Sequence, residues 1–349
     1  MNLTYLIEHT YVSAQMTSEW EAMELSLQHE ARLVNPQVGR VLEKVFGSIE
    51  QLRTLWQVSA VVTAGPGQPV ESFQRARVFS SEGALEAALM HPEKFLGPPP
   101  IGSGSPGRMN AKGISVFYGA TDEEIAIAEV RPPVGSIVAT ATFRLLRPLR
   151  LLNLSHLSEM RPDSQLSYFD PVRVDQAQRC AFLNELQQQL LMPVMPEAVD
   201  QGYLITQAIA DFLATHSSLN LDGIIFPSVQ TPGTDERPSG QNVILFHKAS
   251  VVQNSGTGFE AAHVSLTDSE DEHTWYSPEI WEGEETPPHR RPSSYASFSK
   301  AILPTLALDR DEIRIHHIER VRFGKRTNAV SYHVLQPNGG YDYRASGRR

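Results

Sequence analysis

Gly107-Arg-Met-Asn-Ala-Lys-Gly-Ile-Ser-Val-Phe-Tyr-Gly-Ala-Thr-Asp-Glu-Glu-Ile-Ala-Ile-Ala-Glu129 is the stretch on which the reading of this chain turns. It leaves a Gly/Ser loop at Arg108, passes through an apolar strand ending at Tyr118, and enters a helix whose last turn carries Glu129. Arginine is always charged and presents a fork of donors that matches a phosphate. Tyrosine supplies a flat ring with a polar tip; equally, it serves as a core residue with its hydroxyl at the rim. Glu129 stands near a helix C-terminus, where a negative charge is disfavoured by about 0.3–1 kcal/mol. It emerges beside Ile125 and Ala126, one turn back on the same face. A carboxylate kept at a locally poor position points to a use, although Arg131 is close enough in sequence to neutralise it. Glu123 and Glu124 are accounted for by the helix N-terminus.

The same stretch predicts its own local structure. Ile114 to Tyr118 reads as a strand. Thr121-x-x-Glu124 reads as a capping box, in which the Thr hydroxyl and the Glu carboxylate satisfy each other's backbone N–H groups. Pro132-Pro133 ends the helix.

Immediately upstream, Gly102-Ser-Gly-Ser-Pro-Gly107 matches G-x-G-x-x-G, the dinucleotide fingerprint. That fingerprint needs a strand before it and a helix opening from it. Here three prolines precede and a strand follows, so no helix N-terminus is available to hold a pyrophosphate. The glycines read instead as a loop that lets backbone approach a neighbour.

Working outward, Gln74 to Phe79 reads as a first strand and Gly83 to Met90 as a helix. Ser136 to Leu154, rich in β-branched residues, gives one or two further strands. Helices follow near Asp175–Leu191 and Gln201–Thr215. Gly223-Ile-Ile-Phe and Val243-Ile-Leu-Phe make a buried pair of strands, joined by the Pro/Gly/Ser-rich loop Pro227 to Gln241. This is a mixed α/β pattern, an α+β mixed sheet, without regular βαβ alternation. Ser228 stands at a strand end, but Phe226-Pro-Ser-Val is not a nucleophile elbow. His247, on the neighbouring strand, is expected to pack or to face solvent.

The flanks differ. Residues 1–70 read as mostly helical, with Glu19 to Leu33 and Val38 to Trp56 carrying apolar residues at helical spacing. They are expected to cap the main domain, residues 71–250. Residues 251–349 read as an extension. Thr267-Asp-Ser-Glu-Asp-Glu272 and Glu282-Gly-Glu-Glu-Thr-Pro-Pro288 have the composition of an acidic linker. Glu312 to Val321 and Asn328 to Val334 alternate like a β-hairpin turning at Gly324, added to the edge of the main sheet. The tail after Gln336 is expected to be disordered.

Bulk properties exclude several classes. The 349 residues, 41% hydrophobic and 20% charged, describe a folded chain with a sizeable core. Net charge is −10 at pH 7, which disfavours broad nucleic-acid binding. One cysteine, Cys180, cannot form an intramolecular disulfide or a CxxC motif, and it is expected as a small core residue. No ligand cluster for a metal stands out. No apolar run is long enough to span a bilayer, and the N-terminus lacks a signal-peptide pattern. The cytoplasm is the expected location; signal-less secretion into another cell is the alternative.

Several segments together resemble the RES-domain family, named for its Arg, Glu and Ser. They are Gly107-Arg108-x-Asn110-x-x-Gly113-Ile-x-Val-x-Tyr118 and Ala126-x-Ala128-Glu129-Val-Arg131. Further on come Asp222-Gly223-Ile-Ile-Phe-Pro227-Ser228 and Gly240-Gln-Asn242-Val-Ile-Leu-Phe246. The resemblance covers residues 73–250 and implies an ADP-ribosyltransferase-like fold with an NAD pocket. It implies that NAD is the substrate, cleaved at the nicotinamide–ribose bond by a toxin that acts as a glycohydrolase or phosphorylase. Transfer of ADP-ribose to a protein is the alternative, and a non-catalytic nucleotide- or partner-binding module a further one. By position, Arg108 would hold the NAD phosphates, Tyr118 would stack on the nicotinamide side, Glu129 would act at the ribose and Ser228 would support the site. Arg75 or Arg77 would be a second phosphate-facing arginine, and Asn242 would join the binding set. A Xre-type antitoxin or an immunity protein would be the partner.

Overall fold

The computed structural model describes residues 14–32, 34–163, 165–167, 169–192, 199–228, 240–253, 261–270, 273–282, 303–321, 325, 327–330, 334–335 and 341–342. In chain order the elements begin with helices α1 (Ala14–His29) and α2 (Pro36–Phe46), then strands β1 (Arg53–Thr54), β2 (Val61–Ala64) and β3 (Ser72–Phe79). Helices α3 (Glu82–Leu89) and α4 (Pro92–Phe95) lead through the glycine loop to β4 (Phe117–Ala120) and α5 (Glu123–Glu129). Next come β5 (Ile137–Leu145), β6 (Leu149–Asn153), α6 (Leu154–Leu157), β7 (Met160–Arg161), α7 (Pro171–Leu191) and α8 (Val199–Thr215). The chain closes with β8 (Gly223–Pro227), β9 (Gln241–Leu245), β10 (Ala261–Glu270), β11 (His273–Glu282), β12 (Leu306–His317), β13 (Val334–Leu335) and β14 (Tyr341–Asp342).

Eight strands form one mixed sheet in the order β12-β5-β3-β4-β9-β8-β6-β2. Every neighbouring pair is antiparallel except β6 and β8, which run parallel. Alternating side chains send the sheet's residues into two separate cores. On one face, Leu152, Ile224 and Ile244 pack with α1, α2, α7 and α8 through residues such as Trp20, Leu42, Leu183 and Leu213. On the other, Phe73, Phe117, Phe143 and Leu245 pack beneath α3 and the β10–β11 hairpin. A small third core holds α5 on Ala76, Ala120 and Val138. β5 is covered on both faces, which is why its sequence reads as a nearly unbroken apolar and Thr run.

Three local expectations are corrected. The cap of α5 is Asp122, whose carboxylate accepts from the Glu124 N–H at 2.9 Å. Thr121 is drawn away: its hydroxyl accepts from the Gln241 N–H at 3.0 Å, across the sheet. The strand expected at 114–118 starts at Phe117, because Asn110 takes the Ile114 carbonyl into the loop. The helix expected over 38–56 ends at Phe46, and β2, inside the segment expected to be mostly helical, pairs with β6 at the sheet edge.

The acidic stretch is also corrected. Residues 261–270 and 273–282 are not a linker but the antiparallel pair β10 and β11, while 271–272 and 283–288 of the acidic segments lie outside the described residues. Val264 and Leu266 are buried against the main core, so the acidic side chains are the solvent face of a real hairpin. Of the C-terminal hairpin expected with a turn at Gly324, β12 adds to β5 as the sheet's edge strand, and among the described residues 327–330 are not a strand; residues 331–333 lie outside the described residues. Beyond Gln336, Tyr341–Asp342 pairs with Val334–Leu335, so that part of the tail is ordered. The turn residues 322–324 and much of the loop 227–241 lie outside the described residues. Among the described residues no helix is long and apolar enough to cross a membrane.

Candidate active site

The glycine loop is folded back on itself. Gly102 donates to the Gly113 carbonyl at 3.1 Å and Gly113 to that of Gly104 at 2.8 Å. Both Gly102 and Gly113 have φ near +86°, a conformation that side-chain-bearing residues rarely adopt. The loop ends in a tight turn in which Gly107 donates to the Asn110 carbonyl at 3.0 Å, placing Arg108 and Met109 at the corner. A Cβ on Gly107 would lie 2.5 Å from Asn110 Oδ1 and 2.6 Å from the Tyr118 hydroxyl. Backbone and phenol touch here, which only glycine allows.

Tyr118 is held firmly. Its hydroxyl donates to Asn110 Oδ1 at 2.8 Å and accepts from the Met109 N–H at 3.2 Å. Burial raises its pKa to about 12. It is therefore a neutral wall of the cavity, with its proton already committed.

Arg75 and Arg77 alternate on β3 and so share a face. Both line the same cavity, so its lining does not single out one of them. Arg75 is buried; it donates to the Tyr118 carbonyl at 2.6 Å and lies 5.3 Å from the Phe117 ring centroid. Burial, together with the like charge of Arg77, lowers its pKa to about 9, so it remains a cation at neutral pH. Arg77 donates to the Gly97 carbonyl at 3.1 Å, and burial lowers its pKa too. Arg108 sends its guanidinium to the carbonyls at the end of α7, Leu190 and Gln189, where the helix dipole favours a cation. Burial lowers its pKa, opposed by the phenols of Tyr203 and Tyr118 and the carboxylate of Glu129.

Among the described residues no carboxylate forms an ion pair with Arg75, Arg77 or Arg108, and the Nε of each is buried without a partner. Three guanidinium groups with no direct ion pair, each with a buried donor left over, are costly to keep unless a ligand completes them.

Glu129 ends α5 and lines the same cavity. Arg131 does not neutralise it, as no ion pair joins the two. Its described partner is Asn242 on β9, whose amide donates to Glu129 Oε2 at 3.3 Å. Asn242 is 5% exposed, and its Oδ1 is buried with no partner. The cavity enclosed by Arg75, Arg77, Arg108, Tyr118, Glu129 and Asn242 measures about 310 Å³. Arg75, Arg77 and Tyr118 also line an adjoining chamber of about 380 Å³, walled by the glycine loop. Such volumes suit a ligand of cofactor size.

Ser228 follows β8 and is buried, its N–H donating to the Gly240 carbonyl at 3.0 Å. It is not among the described residues that line the cavity; Phe226, two residues earlier, is. His247 opens a 3-10 turn past β9 and is exposed. Cys180 is buried in the α7 core, and burial raises its thiol pKa to about 11.

The model of the RES domain matches residues 75–268, more than half of the chain, and the protein belongs to the RES-domain family. RES domains are a toxin-like, NAD-related family. No curated protein and no solved structure matches the chain.

The residues that sequence reasoning missed are Thr206 and Gln207. Gln207 donates its amide to the Gly107 and Asn110 carbonyls at 2.8 and 3.0 Å, and Thr206 reaches the Arg108 carbonyl. They carry no local signal, because their partners lie far upstream in the chain.

Proposed function

We propose that this protein cleaves NAD at the nicotinamide–ribose bond. The single observation that carries the reading is that Arg75, Arg77 and Arg108, none in an ion pair among the described residues, line one cavity together with Glu129. A dinucleotide supplies what this site lacks, a diphosphate for the arginines and ribose hydroxyls for the carboxylate.

In this reading the arginines hold the diphosphate and the glycine loop lets it approach. The bond to nicotinamide lengthens with oxocarbenium character, and nicotinamide leaves with the bonding electron pair. Glu129 accepts from the ribose 2′-hydroxyl and stabilises the developing positive charge, the kind of preorganised electrostatic effect that dominates many rate enhancements. Asn242 keeps the Glu129 carboxylate oriented, and its free Oδ1 accepts a hydrogen bond from the ligand. Water attacks the ribose carbon, giving ADP-ribose, nicotinamide and a proton; phosphate or a protein side chain in place of water gives the phosphorylase and transferase variants. A chain with this activity drains NAD from the cell that holds it, which is a toxin's action and accounts for a Xre-type antitoxin or immunity protein as partner.

Incubation with NAD and detection of free nicotinamide tests the reading. Glu129→Gln should cut turnover by on the order of a hundredfold or more while preserving the fold. Wild-type turnover in that variant sinks the assignment. Label from NAD appearing on protein would assign the transferase variant.

A further inference from the structure

We infer that Thr206 and Gln207, on α8, are positioning residues for Arg108, and that through them the N-terminal helices α1 and α2 support the site. The inference rests on the NAD reading for its functional consequence, though not for its structural part.

Most carbonyls of the Arg108 turn are taken by side chains of one helix. Gln207 has two amide hydrogens, and each goes to a carbonyl of this turn, one at either end. Thr206, the adjacent residue and only 5% exposed, reaches the carbonyl between them, that of Arg108. Three of the turn's four carbonyls are thus held by neighbouring side chains of α8. The guanidinium at the other end of Arg108 rests on the last carbonyls of α7. Arg108 is clamped at its backbone by one helix and at its charge by the next.

α8 itself is fixed from the other side. Ile209, Ala210 and Leu213 share a core with Met23 of α1 and Leu42 of α2. Met109, the other residue at the corner of the turn, enters the same core. A contiguous packed path therefore runs from the N-terminal helices through α8 to the arginine. Bonds from Asn110 and to the Tyr118 hydroxyl hold the turn's own shape, while its placement against the helices rests on this path.

Gln207→Leu and Gln207→Glu remove the two donors, and Thr206→Val removes the hydroxyl at nearly constant shape; Thr206→Ser is the conservative control. In the full-length chain, hydrogen exchange should quicken about tenfold in peptides spanning Gly104 to Gly113, as expected for losing these bonds, while α1 and α2 peptides keep wild-type protection. KM for NAD should rise about tenfold or more with kcat little changed, because Arg108 contributes to ground state and transition state alike. Thr206→Ser should retain wild-type values. Unchanged exchange in the loop, or quickened exchange with an unchanged KM, overturns the inference. If the wild-type chain releases no nicotinamide, the NAD reading fails, and the exchange data decide the positioning role alone.

Discussion

Asn242 donates its amide to Glu129 at 3.3 Å, joining the middle of the sheet to the last residue of the helix that crosses it. The carboxylate is oriented by a strand side chain and not by an arginine, which leaves its charge available to a ligand. Asn242→Asp puts two carboxylates side by side, and Asn242→Leu removes the orienting donor. Both should lower kcat by on the order of tenfold to a hundredfold without unfolding the protein. Steady-state nicotinamide release, with circular dichroism as the fold control, checks this. Unchanged kcat in both variants would show that Glu129 needs no orienting partner.

Ligands that bring phosphate should stabilise this protein strongly. Arg75 and Arg77 repel each other in a buried place, and a diphosphate relieves that cost. At a hundred times its Kd, ADP-ribose should add about 2.7 kcal/mol, a rise in Tm of a few degrees. Arg75→Met and Arg77→Met should abolish most of the rise. Thermal denaturation with and without ADP-ribose reads it, and nicotinamide alone should give much less.

Gly107→Ala should be damaging out of proportion to its size. The added methyl meets the Tyr118 hydroxyl and Asn110 within 2.6 Å, so the turn must open. A cost of about 1–3 kcal/mol is expected, as for overpacking elsewhere. Urea unfolding measures it, and a rise in KM for NAD should accompany it. Gly67→Ala is the converse case, backbone strain without crowding: Gly67 has positive φ, as Gly107 does not, and its added Cβ meets nothing within 4 Å.

Alkaline stability carries a signature of Cys180. Its thiol pKa is raised from 9.0 to about 11 by burial, so the fold prefers the neutral form. That preference contributes in full below pH 9 and is lost as pH rises through about 11, amounting to roughly 2–3 kcal/mol at most. Tyr118 acts in the same sense at higher pH, and Arg75, whose pKa is lowered, acts in the opposite one. Subtracting the pH–stability curve of Cys180→Ala from that of the wild type isolates the thiol. A flat difference between pH 8 and 11 would refute it.

Much of the site is legible in the chain because it is local. Arg108, Tyr118 and Glu129 occupy a loop, a strand and a helix that follow one another directly, and each element announces itself by glycine, apolar run or cap. Even there, the cap was assigned to Thr121 when Asp122 fills it, because the deciding contact is with distant Gln241. The pairing of Arg75 with Arg77 follows from strand alternation, yet which face looks into a cavity depends on strands added later. The β10–β11 hairpin is hidden by its acidic solvent face, since composition averages away the inward Val264 and Leu266. β12 and β5 are each legible as strands; that they pair is not, since they lie in remote parts of the chain. Ser228 follows a strand end as its sequence suggests, but it is not among the described residues lining the cavity.

The edges of the sheet have a consequence for handling this protein. β2 and β12 both fall outside residues 75–268, and they cover the free sides of β6 and β5. Cutting the chain to the matched unit would bare two rows of unpaired peptide groups, one of them along the nine-residue, largely apolar β5. Open edges of that kind recruit other chains, so the trimmed unit would be more prone to aggregate than the full chain. The segments that look like appendages thus act as the selvedge of the fabric, finishing the borders that the family's own strands leave raw.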